Sequence, residues 1–252
     1  MDEIDLSRDL LPQHQAVLRC LGLLSRAIGP EHWCVVGGIM VLATARRAGR
    51  VDSRGEETKD GDVVVDVVAE PALLGRAIRQ LRLVGYDLPA DDDRRGDLAR
   101  CTFVSGQSQV DVLAPDDAGP SQLDVGPDFR TIAIPGGRRA LRGAELVSLR
   151  YSDDHPDAEV GLPTLPSAIC VKTAAALDTR TRDHPRHAQD VTFLLACAPD
   201  PRSVREALDQ ADVDQLRRLD REALHDPAHR AWRSLAEDDR DRGRAALDLL
   251  ID

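Results

Sequence analysis

The stretch TKDGDVVVDV, Thr58 to Val67, alternates aspartates with valines in what reads as a buried strand. Each carboxylate taken out of water costs several kcal/mol unless something positive meets it, so the segment has to be explained by its partner. Residues two apart on a strand share a face. Asp60 and Asp62 therefore project side by side, about 6 to 7 Å apart at Cα. Asp66 shares that face but lies about 13 Å from Asp62, and it reads as a structural charge paired with an arginine. A neighbouring strand, QVDVLAP, supplies Asp111 between Val110 and Val112. Three carboxylates converging on one spot repel one another, and a divalent cation commonly resolves such a cluster. Mg²⁺ prefers hard oxygen ligands and is usually held by a few carboxylates together with substrate phosphates.

Upstream, HWCVVGGIMVLATARR changes character in its middle. Trp33 to Val36 read as a short buried strand, Gly37-Gly38 as a tight turn and Ile39 to Arg47 as a helix. A glycine turn feeding a helix N-terminus offers backbone N–H groups to a phosphate. A first helix carries Leu10, Leu11, Val17, Leu18, Leu21, Leu23 and Leu24 and closes at Gly29-Pro30. After Asp62 to Val68 comes a helix from Pro71 to Leu83, then a solvated loop around Asp91 to Asp93. The runs Leu98 to Val104 and Gln109 to Leu113 form a hairpin about Ser105-Gly106. Strand pieces follow at Thr131 to Ile134 and Glu145 to Leu149. From Pro163 the period lengthens to about 3.6, predicting helices at Leu165–Leu177, Arg186–Ala196, Ser203–Ala211, Val213–Ala223 and, with breaks, His229–Leu250. The expected organisation is an α+β core over residues 1–155 and a helical domain over residues 156–252.

Composition narrows the partners. A net charge of −11 repels phosphate backbones and argues against non-specific coating of nucleic acid. Five scattered cysteines without a CxxC pair, and an N-terminus with no leader pattern, imply a reducing, cytoplasmic setting. No apolar run reaches the ~18 residues that span a bilayer, so no membrane segment is expected. Among 33 basic residues only Lys59 and Lys172 are lysine. Lysine is a compact point charge that fits against a phosphate where a planar guanidinium does not, which makes both of them candidates for a phosphate contact. Arg46, Arg47, Arg50 and Arg54 form either a phosphate or RNA grip or a solvated loop. HExxH, GxSxG and P-loop motifs are all absent.

The order of strand with terminal GG, helix, strand opening DxD and a later third Asp resembles the DNA polymerase beta superfamily of nucleotidyltransferases. VVGGIMVLATARRAGRVDSRGEETKDGDVVVDV is similar to the GG and DxD segment of the AbiEii and MenT group of toxin nucleotidyltransferases, and LPSAICVKTAAALDTRTRDHPRHAQDVTFLL places Lys172 and Asp190 where that group completes its site. The resemblance implies a mixed sheet with helices, followed by a helical domain that contributes to the active-site cleft. By the same resemblance Gly37 and Gly38 would hold nucleotide phosphates, with Lys59 nearby. Asp60 and Asp62 would bind Mg²⁺, and Asp111 would be a third ligand or a general base. Lys172 would contact the triphosphate and Asp190 would orient Lys172 or a substrate group. Two Mg²⁺ ions about 3.5 to 4 Å apart would serve the transfer. NMP would pass from an NTP to a hydroxyl, foremost a tRNA 3′ end, and the gene neighbour would be an antitoxin. The alternatives are a small-molecule (antibiotic-type) or protein acceptor, or a catalytically lapsed nucleotide-binding member. Gly61 stands where the group carries a bulky apolar residue, and a glycine inside a strand is expected to loosen it. His187 stands where an acid often precedes the final Asp.

Overall fold

A computed structural model describes residues 1–7, 10, 12–50, 60–89, 101–125, 129–180 and 184–252, with the side chain of His184 left aside. Lys59, Arg54 and the acidic run at 91–93 lie outside the described residues. The chain divides into two units: Met1–Ala43 with Glu57–Pro163, and Thr44–Glu56 with Thr164–Asp252.

The first unit is built on an eight-stranded mixed sheet. Its strands are β1 (Asp2–Asp5), β2 (Trp33–Val36), β3 (Asp60–Val65), β4 (Thr102–Ser105), β5 (Ser108–Pro115), β6 (Ala133–Ile134), β7 (Ala144–Arg150) and β8 (Ala158–Pro163). They run in the order β1-β7-β8-β2-β3-β5-β4, with β6 pairing β5 off the main path. β3 is antiparallel to β2 and parallel to β5, and β5 turns back on β4 as a hairpin. Helix α1 (Pro12–Ile28) lies over β8, β3 and β5. Its buried Val17, Leu18, Leu21 and Leu24 close the apolar side of the sheet. Further helices are α2 (Gly37–Arg47), within which the division between units falls, α3 (Ala72–Leu83), the single-turn α4 (Pro120–Leu123) and α5 (Gly137–Arg142).

Two strands and two helices of this unit had no counterpart in the sequence reading: β1, β8, the single-turn α4 and α5. β1 is acidic and lacks alternation, β8 is broken by Gly161 and ended by Pro163, and α5 hides behind a Pro-Gly-Gly turn. The strand expected at Asp62–Val68 begins at Asp60, so both aspartates of the DxD lie within it. Asp66, just past its end, is held by Arg138, whose Nη1 donates to both carboxylate oxygens at 3.0 Å. The same guanidinium bridges to Asp117 through Nε. Asp66 is thus the arginine-paired structural charge that its position predicted.

The second unit is helical: α6 (Leu165–Leu177), α7 (His184–Ala196), α8 (Pro201–Glu206), α9 (Gln210–Leu219), α10 (Arg230–Arg233) and α11 (Glu237–Ile251). α7 packs against α6, α10 and α11. Trp232 is wholly buried and donates from Nε1 to the Leu224 carbonyl at 2.7 Å. The helix expected at Ser203–Ala211 is replaced by α8 and the start of α9. Asp200 caps α8 by accepting from Arg202 N, and Asp209 opens α9 by accepting from Asp212 N. An N-cap aspartate satisfies a first-turn N–H, so each one marks a helix start. No helix among the described residues is long and apolar enough to cross a membrane.

Candidate active site

The alternation of β3 decides which residues face which way. Gly61 points at α1, where an added Cβ would overlap a methyl group of Val17. Its neighbours Asp60 and Asp62 therefore project from the opposite face. In the parallel pairing of β3 with β5, Asp62 stands opposite Asp111 and Asp60 opposite Gln109. Asp60, Asp62 and Asp111 each offer a carboxylate oxygen within 4.8 Å of the others, all three residues half-buried. The absence of a side chain at Gly61 is what allows α1 to close on the strand at Val17, on the face opposite the acids.

Asp62 is also fitted to the turn that follows β2. Val36, the last residue of β2, is its register partner, and Gly37 comes next. Gly37 has φ 64°, in the left-handed region, and an added Cβ would overlap the Asp62 carboxylate. The helix begins at Gly37 itself, so Gly37 and Gly38 form the N-terminal turn of α2 rather than a separate turn before it. That turn presents unsatisfied backbone N–H groups beside an acid cluster.

Asp111 sits in a polar frame that motif reading did not include. Gln109 Nε2 donates to its Oδ1 at 3.2 Å, and the Thr102 side chain hydrogen-bonds the same carboxylate. Burial pushes its carboxyl up to about 6, the negative charge of Asp60 adds to the rise, and the two hydrogen bonds oppose it. A signal for Thr102 was present in the sequence. A hairpin that turns at Gly106-Gln107 pairs Ser105 with Ser108 and, three residues on, Thr102 with Asp111.

The second unit holds the other two predicted site residues. Lys172 Nζ lies 2.6 Å from Asp190 Oδ2, with side chains only 6% and 3% exposed. α6 is apolar around most of its circumference, so Lys172 is a charge carried by an otherwise buried helix. Arg50, one of the four loop arginines, is engaged by Asp239 at 2.9 Å. The described cysteines are buried and form no disulfide; burial pushes the Cys20 thiol up to about 12 and raises those of Cys34 and Cys101, so these three are poor nucleophiles.

Paired aspartates on one strand and a third on its parallel neighbour could together hold a divalent cation, and the N-terminal turn of α2 beside Asp62 could take an anion. Comparison with known families makes the assignment. The chain matches the family described as nucleotidyl transferase AbiEii toxin, type IV toxin–antitoxin system, over residues 120–248, just over half its length, and it belongs to that family. It is therefore a nucleotidyltransferase of a toxin family, for which an NTP substrate and an antitoxin partner come with membership. No curated protein matches the chain. The matched region includes Lys172 and Asp190 but begins after Asp60, Asp62 and Asp111, so the acid cluster stands as an independent, geometric observation.

Proposed function

We propose that the protein moves a nucleoside monophosphate from an NTP to an acceptor hydroxyl, with Asp60, Asp62 and Asp111 as its metal-binding acids and a tRNA 3′ end as its acceptor. The observation that carries this reading is the convergence of three carboxylate oxygens within 4.8 Å beside the Gly37 turn. The donor set is all hard oxygen and fits Mg²⁺. When bound, Mg²⁺ would neutralise charge on the phosphates and lower the pKa of the acceptor hydroxyl.

The residues of the chain do the positioning. The N–H groups of Gly37 and Gly38 would bind phosphate oxygens of the NTP. Lys172 remains a proposed phosphate contact on the family resemblance alone. Asp190 would hold the Lys172 ammonium in one direction, as it does through their 2.6 Å ion pair. Asp111 would be the third ligand or the base that takes the proton from the acceptor hydroxyl. Lys59 remains a proposed phosphate contact on its sequence position alone.

A second reading has one observation in its favour. The net charge of −11 disfavours a polyanionic acceptor and points to a small molecule or a protein side chain. The third reading, a lapsed member that binds nucleotide without turnover, rests on Gly61, which packs against Val17 of α1. The test is incubation with Mg²⁺ and each labelled NTP, with and without total tRNA, beside Asp62→Ala. Label on tRNA with the wild type alone supports the RNA acceptor. Label on the protein itself, or on an added aminoglycoside only, would support the second reading. No transfer to any of these acceptors would count against both.

A further inference from the structure

On the face that carries the acids, register places Gln109 beside Asp60 and Asp111 beside Asp62. Gln109 thus occupies the fourth corner of a square whose other corners are aspartates. It reaches along its own strand to donate to Asp111 Oδ1, while β4 sets Thr102 directly opposite Asp111 from the other side. Two neutral donors from two strands therefore hold one carboxylate, and both are half-buried.

The neutrality of these donors matters. A lysine or arginine in either place would satisfy Asp111 but cancel the negative charge of the cluster. A fourth carboxylate would add to the repulsion that Asp60 already exerts on Asp111. An amide and a hydroxyl hold the acid still and leave its charge available. A carboxylate has about four lone-pair sites, so two donors leave room for a further bond. This is the relation of outer-shell partners to a metal ligand, which fixes orientation without competing for the cation.

We propose that Gln109 and Thr102 are the positioning residues of Asp111, holding its carboxylate in the orientation in which the three acids take a divalent cation. The inference rests on the reading of the cluster as a metal site. It concerns residues that carry no motif, and it gives the edge strand β4 a task beyond closing the sheet.

The test is Mn²⁺ titration of the full chain, without nucleotide, followed by calorimetry and by loss of the free-ion paramagnetic signal. The variants are Gln109→Leu, Thr102→Val, the two combined, Thr102→Ser, Gln107→Leu and Asp62→Ala, each first shown to be folded by its circular-dichroism melt. Gln107 is exposed in the hairpin turn and controls for loss of an amide. Affinity is expected to fall about 10-fold in each of the first two and about 100-fold in the double variant, with Thr102→Ser and Gln107→Leu at the wild-type value. A role in strand stability alone would lower the melting temperature and leave Mn²⁺ affinity unchanged. That result, with Asp62→Ala abolishing binding, would overturn the proposal and leave the metal site standing. Equal Mn²⁺ binding by wild type and Asp62→Ala would instead remove the metal site, and the proposal with it.

Discussion

The two charged centres of this chain solve opposite electrostatic problems. Lys172 and Asp190 are sealed from water and matched one to one, at 2.6 Å. Asp60, Asp62 and Asp111 are half-buried and of one sign, and the partners seen at Asp111 are the neutral Gln109 and Thr102. Breaking a matched buried pair is costly because it leaves one charge buried and alone. Like charges brought together repel, and a cation bound among them would relieve that repulsion. The first centre is therefore bound up with stability and the second with ligand binding, although both lie in the proposed machinery.

Mutation breaks or sharpens this contrast, and the largest expected effect is on catalysis. Asp62→Ala should reduce nucleotidyl transfer at least about 10⁴-fold, roughly 5 kcal/mol of transition-state stabilisation, while the melting temperature stays at or above the wild-type value. A labelled-NTP assay beside a thermal melt checks both halves. Lys172→Met should do the reverse to stability. Leaving Asp190 buried and alone costs about 3–5 kcal/mol, and Lys172→Met with Asp190→Leu should recover most of that in denaturant titration. If the single variant is as stable as wild type, the pair is not the structural element described here.

Gly61→Val comes next, at about 1–3 kcal/mol of overpacking against Val17. Urea unfolding should show the loss, and Val17→Ala in the same chain should relieve part of it. The smallest effect concerns pH. The folded Asp111 carboxyl sits near 6, above its ordinary value of 3.8, so the folded protein holds that proton more tightly than the unfolded one. Its contribution to stability is present below pH 3.8 and is lost as pH rises through about 6. Asp111→Asn, neutral throughout, should stabilise the metal-free protein by about 1–2 kcal/mol at pH 8 and by nothing measurable at pH 4.

The same contrast explains what could be read from sequence. Asp60, Asp62 and Asp111 were legible because strand alternation is strict and their valine neighbours fixed the faces. The pairing of Asp66 with an arginine followed from the same reasoning, although nothing in the sequence singled out Arg138. Trp33–Val36 and Leu165–Leu177 were legible as elements because their apolar runs end at Gly37 and begin after Pro163. Gln109 and Thr102 were missed because a polar residue without a motif gains meaning only from cross-strand register. β8 was missed because a strand interrupted by glycine and ended by proline lacks a local signal. The close packing at Gly61 was hidden from the sequence for a related reason. Glycine in a strand reads as weakness until the neighbour that requires it, here Val17 of α1, is known.

The most direct test of the central claim is anomalous diffraction from crystals grown with Mn²⁺ and a non-hydrolysable NTP analogue. The account predicts an anomalous peak at bonding distance from carboxylate oxygens of Asp60, Asp62 and Asp111. Nucleotide bound with these three carboxylates free of metal, or the peak at another set of side chains, would contradict it.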